Sequence, residues 1–265
     1  MDLAGLIPHI VALSMAAGRA VLDVYRRDFS ITEKEDRSPL TEADLASHRI
    51  IADGLASLTP EIPVLSEESR HTPWEERRSW ETYWLVDPLD GTKEFIKKNG
   101  EFTVNIALVS GHRVDLGVVH APVLGRTFHA ASGLGAFVRE GDGMPRSIWV
   151  SRHREGEPWR VVGSRSHASP ALAGFLARLG EYELVSMGSS LKFCLVAEGK
   201  AHVYPRLGPT SEWDTAAAQC IVEEAGGAVV TIDGAPLLYN AKPDLLNPFF
   251  IAGADPSMDW RPFFS

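Results

Sequence analysis

Cysteine is nearly absent from this chain of 265 residues, which carries only Cys194 and Cys220. Two thiols make no disulfide framework, so the fold must be held by its core, as suits a reducing compartment. Each lies in an apolar, helix-like stretch and reads as a small buried hydrophobe. Basic residues are also short: 26 Lys and Arg face 35 Asp and Glu, for a net charge of −9. No basic block stands out, which argues against binding nucleic-acid polymers, because that binding depends on cations neutralising phosphates. A long apolar run is missing too. Residues 1–20 are interrupted by Pro8, His9, Gly18 and Arg19, short of the ~18 apolar residues of a membrane span. Asp2 stands where a signal peptide has its basic region. No transmembrane segment is expected, and the cytoplasm is the expected compartment. Repeats and low-complexity tracts are lacking, and none of the nine histidines shows metal-ligand spacing beside acids, so zinc is a poor reading.

What is present is ordinary globular material, 45% hydrophobic and 23% charged, enough for one large domain or two lobes. Apolar residues at helical spacing predict a helix over 3–27. T-E-A-D at 41–44 opens a second helix over 41–58 with a capping-box pattern. Strands follow at 63–66, 83–86, 102–110, 114–120, 126–131 and 135–139, with 69–82 as a polar surface loop. The Gly- and charge-rich 140–145 marks a lobe boundary, giving an α+β lobe over 1–145 and an α/β lobe over 146–265. In the second, strands (160–163, 182–187, 201–204) alternate with helices (169–179, 189–198, 213–225) before strands at 228–232 and 249–252. Such alternation implies an α/β arrangement.

The densest chemical signal is Asp87-Pro88-Leu89-Asp90-Gly91-Thr92 at a strand end. A chance match to D-P-x-D-G-T in a chain of this length has odds on the order of 10⁻⁴, so a mere Pro/Asp/Gly turn is the weaker account. Pro88 stiffens the corner, Asp87 and Asp90 point to one place, and Gly91 allows close backbone approach. Following N–H groups can cradle a phosphate if a helical turn starts there. Glu67-Glu68 ends another strand, and Asp214 opens a helix. Taken singly, Glu67 and Glu68 read as a solvated turn, Asp214 as a first-turn acid and Asp44 as a capping acid. Together they sit where α/β folds build ligand sites. Acids without His or Cys suit a hard cation, with magnesium first.

At these residues the chain resembles the inositol monophosphatase superfamily of magnesium-dependent, lithium-sensitive phosphatases. D-P-L-D-G-T at 87–92, E-E at 67–68 and W-D-T-A at 213–216 carry the likeness. Further stretches at 84–95, 99–109, 164–167, 188–199 and 204–210 are most similar to its bacterial 3'(2'),5'-bisphosphate nucleotidase branch; Lys93-Glu94-Phe95 stands where monophosphatases proper carry Asn-Phe soon after D-G-T. The resemblance implies a layered α/β/α/β/α sandwich of mixed α+β and α/β character. It implies two or three Mg²⁺ ions, one held by Glu67, Asp87 and the Leu89 carbonyl, another by Asp87, Asp90 and Asp214. Asp90, Gly91 and Thr92 match the phosphate-binding turn, while Asp44 and Thr92 match the positions that orient or deprotonate the attacking water. Glu67, Leu89 and Asp214 also face the substrate. Ser164, Arg165, Ser166 and His167, with Ser189, Ser190 and Lys192, match the nucleotide-contacting region. The implied substrate is adenosine 3',5'-bisphosphate, an intermediate of sulfur metabolism, with 3'-phosphoadenylyl sulfate as a second; inositol monophosphate or another sugar phosphate is the alternative. The likeness leaves oligomeric state and contact with the inner-membrane surface open.

Overall fold

The computed structural model describes residues 1–33, 39–69, 72–163 and 170–264. Among the described residues two large sheets alternate with three helical layers. The chain opens with helix α1 (Leu3–Tyr25), a two-stranded ribbon of β1 (Ile31–Glu33) and β2 (Pro39–Thr41), and helix α2 (Glu42–Leu58). A seven-stranded sheet follows: β3 (Val64–Ser66), β4 (Thr82–Asp90), β5 (Thr103–Ser110), β6 (Arg113–Ala121), β7 (Arg126–Ala131), β8 (Gly135–Glu140) and β9 (Arg146–Ile148). Its strands pair in chain order, with β3 parallel to β4 and the rest antiparallel. Short helices α3 (Trp74–Arg77) and α4 (Thr92–Ile96) flank β4.

The second sheet holds β10 (Trp159–Gly163), β11 (Tyr182–Ser186), β12 (Val203–Arg206), β13 (Ala228–Thr231) and β14 (Phe250–Gly253) in the order β11-β10-β12-β14-β13. Helices α5 (Pro170–Leu179), α6 (Leu191–Ala197) and α7 (Ala216–Glu224) connect it. Three apolar clusters define the layering. One lies between α1, α2 and the first sheet, one between the sheets around α6 and α7, and one under α5 outside the second sheet. Because both faces of the first sheet are covered, β4 is apolar on both sides: Trp84 and Val86 join the first cluster, Tyr83 and Leu85 the second. Helix α7 presses close to β6, and a Cβ at Gly117 would stand 2.1 Å from the Ala217 carbonyl oxygen.

Helix α1 starts at Asp2, whose carboxylate accepts from the Gly5 N–H at 3.0 Å. Its 23 residues, with mean hydropathy 1.5 over an 18-residue window, are long and apolar enough by composition to cross a bilayer, despite the interruptions noted in the sequence. Here Ile10, Val11, Ala17, Val21 and Val24 form one buried face packed on α2 and the first sheet. Helix α2 begins as expected. Thr41 caps it, and Thr41 and Asp44 form both halves of the capping box.

Three local expectations need correction. Strand β4 does not stop before Asp87; it pairs with β5 through Asp90, with a register shift between Asp87 and Asp90. The bulge lets Pro88 sit in a sheet, because a proline cannot donate to the ladder. The helix expected over 213–225 is broken: Glu212–Asp214 form a 3₁₀ turn and α7 begins only at Ala216. The polar stretch 69–82 is not merely superficial, since Arg77 is wholly buried. The stretch at 140–145 is the connection between β8 and β9 of the first sheet.

Candidate active site

The site assembles where the bulged end of β4 meets the start of α2 and the turn before α7. At the bulge the Leu89 N–H donates to Asp87 Oδ1 at 3.0 Å, fixing that carboxylate beside the backbone. From α2, the Ser47 hydroxyl donates to the Pro88 carbonyl at 2.7 Å and pins the corner. Because β3 runs parallel to β4, the Glu67 N–H reaches the Val86 carbonyl at 3.1 Å and brings Glu67 level with Asp87. Asp214 is aimed by its own turn, its Oδ2 accepting from the Ser211 N–H at 2.8 Å.

Asp87, Asp90 and Asp214 each present a carboxylate oxygen, and the three oxygens lie within 4.8 Å of one another. Close acids repel when ionised, and burial deepens the penalty. Burial, reinforced by the charges of Glu67, Asp90 and Asp214, therefore pushes Asp87 well above the usual carboxylate range. Burial first, then the charge of Asp90, raises Asp214 to about 7. A divalent cation would relieve both effects. An all-oxygen set of this kind fits a hard cation, so Asp87, Asp90 and Asp214 could hold a metal ion, with Glu67 adding charge from the side.

Asp44 serves two partners with two oxygens. Its Oδ2 accepts from the Thr41 N–H at 2.8 Å and the Thr41 hydroxyl at 2.6 Å. Its Oδ1 lies 3.3 Å from the Thr92 hydroxyl, which is also 3.3 Å from the Leu89 carbonyl. Burial raises the Asp44 carboxyl, against the two Thr41 hydrogen bonds that lower it. The capping role and the role implied at the site thus occupy different oxygens of one side chain.

Gly91 precedes α4 with φ +91°, a conformation side-chain-bearing residues rarely adopt. A Cβ there would also meet the Glu101 carbonyl oxygen at 3.2 Å and Ser189 Cβ at 3.3 Å. No side chain caps the first turn of α4, and Gly91, Lys93 and Glu94 of this turn line the cleft.

The cleft has a volume of about 740 Å³, and Asp90, Gly91, Ser189, Ser190, Lys192 and Asp214 line it together. Leu89 and Thr92 adjoin it through the D-P-L-D-G-T corner. The expected contacts Ser164, Arg165, Ser166 and His167 lie outside the described residues. Sequence reading missed several wall residues: Lys93, Lys97, Arg206, Tyr204 and Met187. Arg206 sits in the quoted Y-P-R-L-G-P-T stretch, which was the available signal. It also missed Asn105, opposite Asp87 in the β4–β5 ladder, whose Nδ2 donates to the Ser190 hydroxyl at 2.9 Å.

Comparison with known proteins places this geometry. The inositol monophosphatase family model matches residues 2–256. The chain is 49% identical over 247 residues to the 3'(2'),5'-bisphosphate nucleotidase CysQ of Escherichia coli (strain K12), covering 92% of this chain and 98% of that one. It is 37% identical over 260 residues to the Haemophilus influenzae protein of the same name, covering 98% and 96%. Among solved structures, CysQ from Bacteroides thetaiotaomicron, a bacterial member of the inositol monophosphatase family, superposes with a TM-score of 0.82 at 42% identity over 96% of this chain and 99% of that one. A Thermotoga maritima inositol monophosphatase superposes with a TM-score of 0.76 at 27% identity, covering 97% and 93%. With its layered sandwich and its acids gathered at one cleft, the chain belongs to the inositol monophosphatase family and is a phosphoric monoester hydrolase.

Proposed function

We propose that this enzyme is a magnesium-dependent 3'(2'),5'-bisphosphate nucleotidase that hydrolyses adenosine 3',5'-bisphosphate to AMP and phosphate, with 3'-phosphoadenylyl sulfate as a second substrate. One observation carries the reading. A single cleft has an acidic end (Asp90, Asp214) and cationic side chains (Lys192, Arg206) on its wall. A substrate with two phosphates needs two anion-holding ends, one for the phosphate that leaves and one for the phosphate that stays. The relatives at 49% and 37% identity bear the corresponding name. Cytoplasmic placement and a role in sulfur metabolism belong to the same reading.

Asp87, Asp90 and Asp214, with Glu67 and the Leu89 carbonyl, would hold the cations. Magnesium, when bound there, would supply positive charge that offsets the phosphate's negative charge, make water more acidic and steady the leaving oxygen. The chain's remaining task is positioning. The Thr92 hydroxyl, donating to Asp44 Oδ1, accepts from a water in the cleft; as the water oxygen bonds to phosphorus and the bond from phosphorus to the ribose oxygen breaks, the water's proton passes to Thr92 and the Thr92 proton to Asp44. Gly91 and the first-turn N–H groups of α4 hold the transferred phosphate close to the backbone. Lys192 and Arg206 meet the retained phosphate, and Met187 and Tyr204 offer apolar surface to the base.

A phosphate-release panel tests the proposal. With magnesium, kcat/KM for adenosine 3',5'-bisphosphate should exceed that for inositol 1-phosphate and fructose 1,6-bisphosphate by at least ~100-fold, as expected when buried polar groups read the substrate. Equal rates on inositol phosphate would overturn the nucleotidase reading and leave the phosphatase.

A further inference from the structure

Ser190 lines the cleft, and sequence resemblance places it among residues that contact the nucleotide. Its hydrogen bonds point elsewhere. Its backbone N–H donates to Asp90 Oδ2 at 2.6 Å, and its hydroxyl lies 2.8 Å from the same oxygen. The Thr103 hydroxyl and Asn105 Nδ2 approach that oxygen at 3.5 Å. Among the described residues every donor to the Asp90 carboxylate reaches Oδ2, which leaves Oδ1 as the oxygen to face a cation. A carboxylate held through one oxygen presents the other in a fixed direction.

The same hydroxyl lies 2.7 Å from the Asp214 carbonyl oxygen and accepts from Asn105 Nδ2 at 2.9 Å. One buried atom thus touches Asp90 at the end of β4, Asn105 on β5 and the turn that carries Asp214. Ser190 and Asn105 are each 1% exposed, so water does not compete for these bonds. The backbone is held to this purpose. Ser189 sits at φ +47°, a strained conformation for a residue with a side chain, kept only where the surroundings enforce it. Beside it the Gly188 N–H donates to Glu101 Oε2 at 2.8 Å, and a Cβ on Gly188 would stand 2.7 Å from the Glu101 carbonyl oxygen.

We propose that Ser190 is a positioning residue for the cation site rather than a nucleotide contact: it locks Asp90 with Oδ1 free and ties it to Asp214, with Asn105 orienting the serine hydroxyl. The proposal rests on the reading of Asp87, Asp90 and Asp214 as cation ligands. The Ser190 N–H and its one hydroxyl proton, shared between Asp90 Oδ2 and the Asp214 carbonyl, are both directed at acceptors within the protein, so neither donor is left to bind substrate.

Calorimetric titration of Mg²⁺ into wild-type, Ser190→Ala and Ser190→Cys protein without substrate, alongside kcat and KM, tests this. Ser190→Ala should weaken Mg²⁺ binding 10- to 100-fold, the range seen when a ligand-orienting partner is lost. The Mg²⁺ concentration for half-maximal activity should rise by the same factor. KM for the bisphosphorylated nucleotide, measured at saturating Mg²⁺, should stay within about twofold. Ser190→Cys keeps the side chain's size and a weak S–H donor and should fall between the two, which preserves the test if the alanine variant does not fold. Unchanged Mg²⁺ affinity with a raised KM would show a nucleotide contact and overturn the proposal. Failure of wild-type protein to bind Mg²⁺ would overturn the cation reading together with it.

Discussion

The Thr92 hydroxyl lies 3.3 Å from Asp44 Oδ1 across 48 residues of sequence, while the other oxygen of Asp44 closes the capping box of α2 by accepting from the Thr41 N–H. Structure and chemistry therefore share one carboxylate, and variants can separate them. Thr92→Ala removes the hydroxyl without touching the cap. It should lower kcat by 10²- to 10⁴-fold, the usual worth of a positioned proton acceptor, with Tm unchanged. Asp44→Ala should lose the same activity and also the cap, worth about 1 kcal/mol, or about 2–4 °C in Tm for a chain of this size. Activity assays with parallel thermal melts check both; a Thr92→Ala enzyme at wild-type rate would remove the proposed water-orienting pair.

The acid cluster makes stability depend on pH and metal together. Burial and neighbouring charge raise Asp214 to about 7 in the folded protein and raise Asp87 as well. A carboxyl with a raised folded value contributes stability that is fully present below about pH 4 and lost as pH rises through about 7. His120 and His202 act oppositely. Burial lowers each to about 4, so their contribution is full above about pH 6.5 and lost as pH falls toward 4. Between about pH 4 and 6.5 the two sets oppose each other; above that only the carboxyls still titrate, so metal-free protein should weaken as pH rises from 6 through about 7. Magnesium should raise Tm more at pH 8 than at pH 6. In chelator at pH 8, Asp87→Asn should melt higher than wild type, because one buried charge is gone, while hydrolysis is lost. Differential scanning calorimetry at the two pH values reads all three; a magnesium increment independent of pH would contradict the cluster's electrostatics.

Much of this site was legible because its key residues are contiguous. D-P-L-D-G-T names its own corner, and T-E-A-D announces both a helix start and Asp44. Strand alternation exposed the second sheet, and periodicity exposed α1. What stayed hidden depends on contacts between distant segments. The sequence alone ends strand β4 at Asp87, because proline normally ends a strand, and only pairing with β5 reveals the bulge. The break before α7 was invisible because Trp213 to Ala225 are nearly all compatible with a helix, whereas the 3₁₀ turn is fixed by the Ser211–Asp214 capping box. Asn105 looked like one polar residue in a strand. Its meaning comes from Ser190, 85 residues away.

The cationic wall of the cleft predicts how substrates are told apart. Lys192 Nζ stands 5.6 Å from the Tyr204 ring centre, and Arg206 donates to the Pro209 carbonyl at 2.7 Å. Both side chains belong to the cleft wall. Lys192→Met should raise KM for adenosine 3',5'-bisphosphate about 10- to 100-fold, since a hydrogen bond to a charged group is worth about 1.5–3 kcal/mol, and leave kcat nearly unchanged. KM for 3'-AMP, which lacks the second phosphate, should barely move. Steady-state kinetics on the two nucleotides decides it, and an equal loss on both would place Lys192 at the reacting phosphate instead.

Arg77 shows that the polar stretch 69–82 stabilises the core. Its guanidinium is wholly buried and donates to Asn240 Oδ1 and to the carbonyls of Lys242 and Pro243. Asn240 Nδ2 returns a bond to the Arg77 carbonyl at 2.6 Å, and the Asn240 N–H donates to Glu212 at 2.7 Å, two residues before Asp214. Removing the guanidinium strands three acceptors, at about 1–3 kcal/mol for each left unsatisfied, or about 3–5 kcal/mol together. Arg77→Ala should therefore lower Tm by about 6–20 °C. The variant should also bind Mg²⁺ more weakly well below its Tm, because the turn presenting Asp214 loses its support. Arg77→Lys offers one ammonium where a planar fork donates to three acceptors, so it should recover only part of the loss. Melting curves and Mg²⁺ titrations on the two variants test the chain of contacts; a full recovery by lysine would mean that charge alone, and not the fork, holds the segment at 240–243.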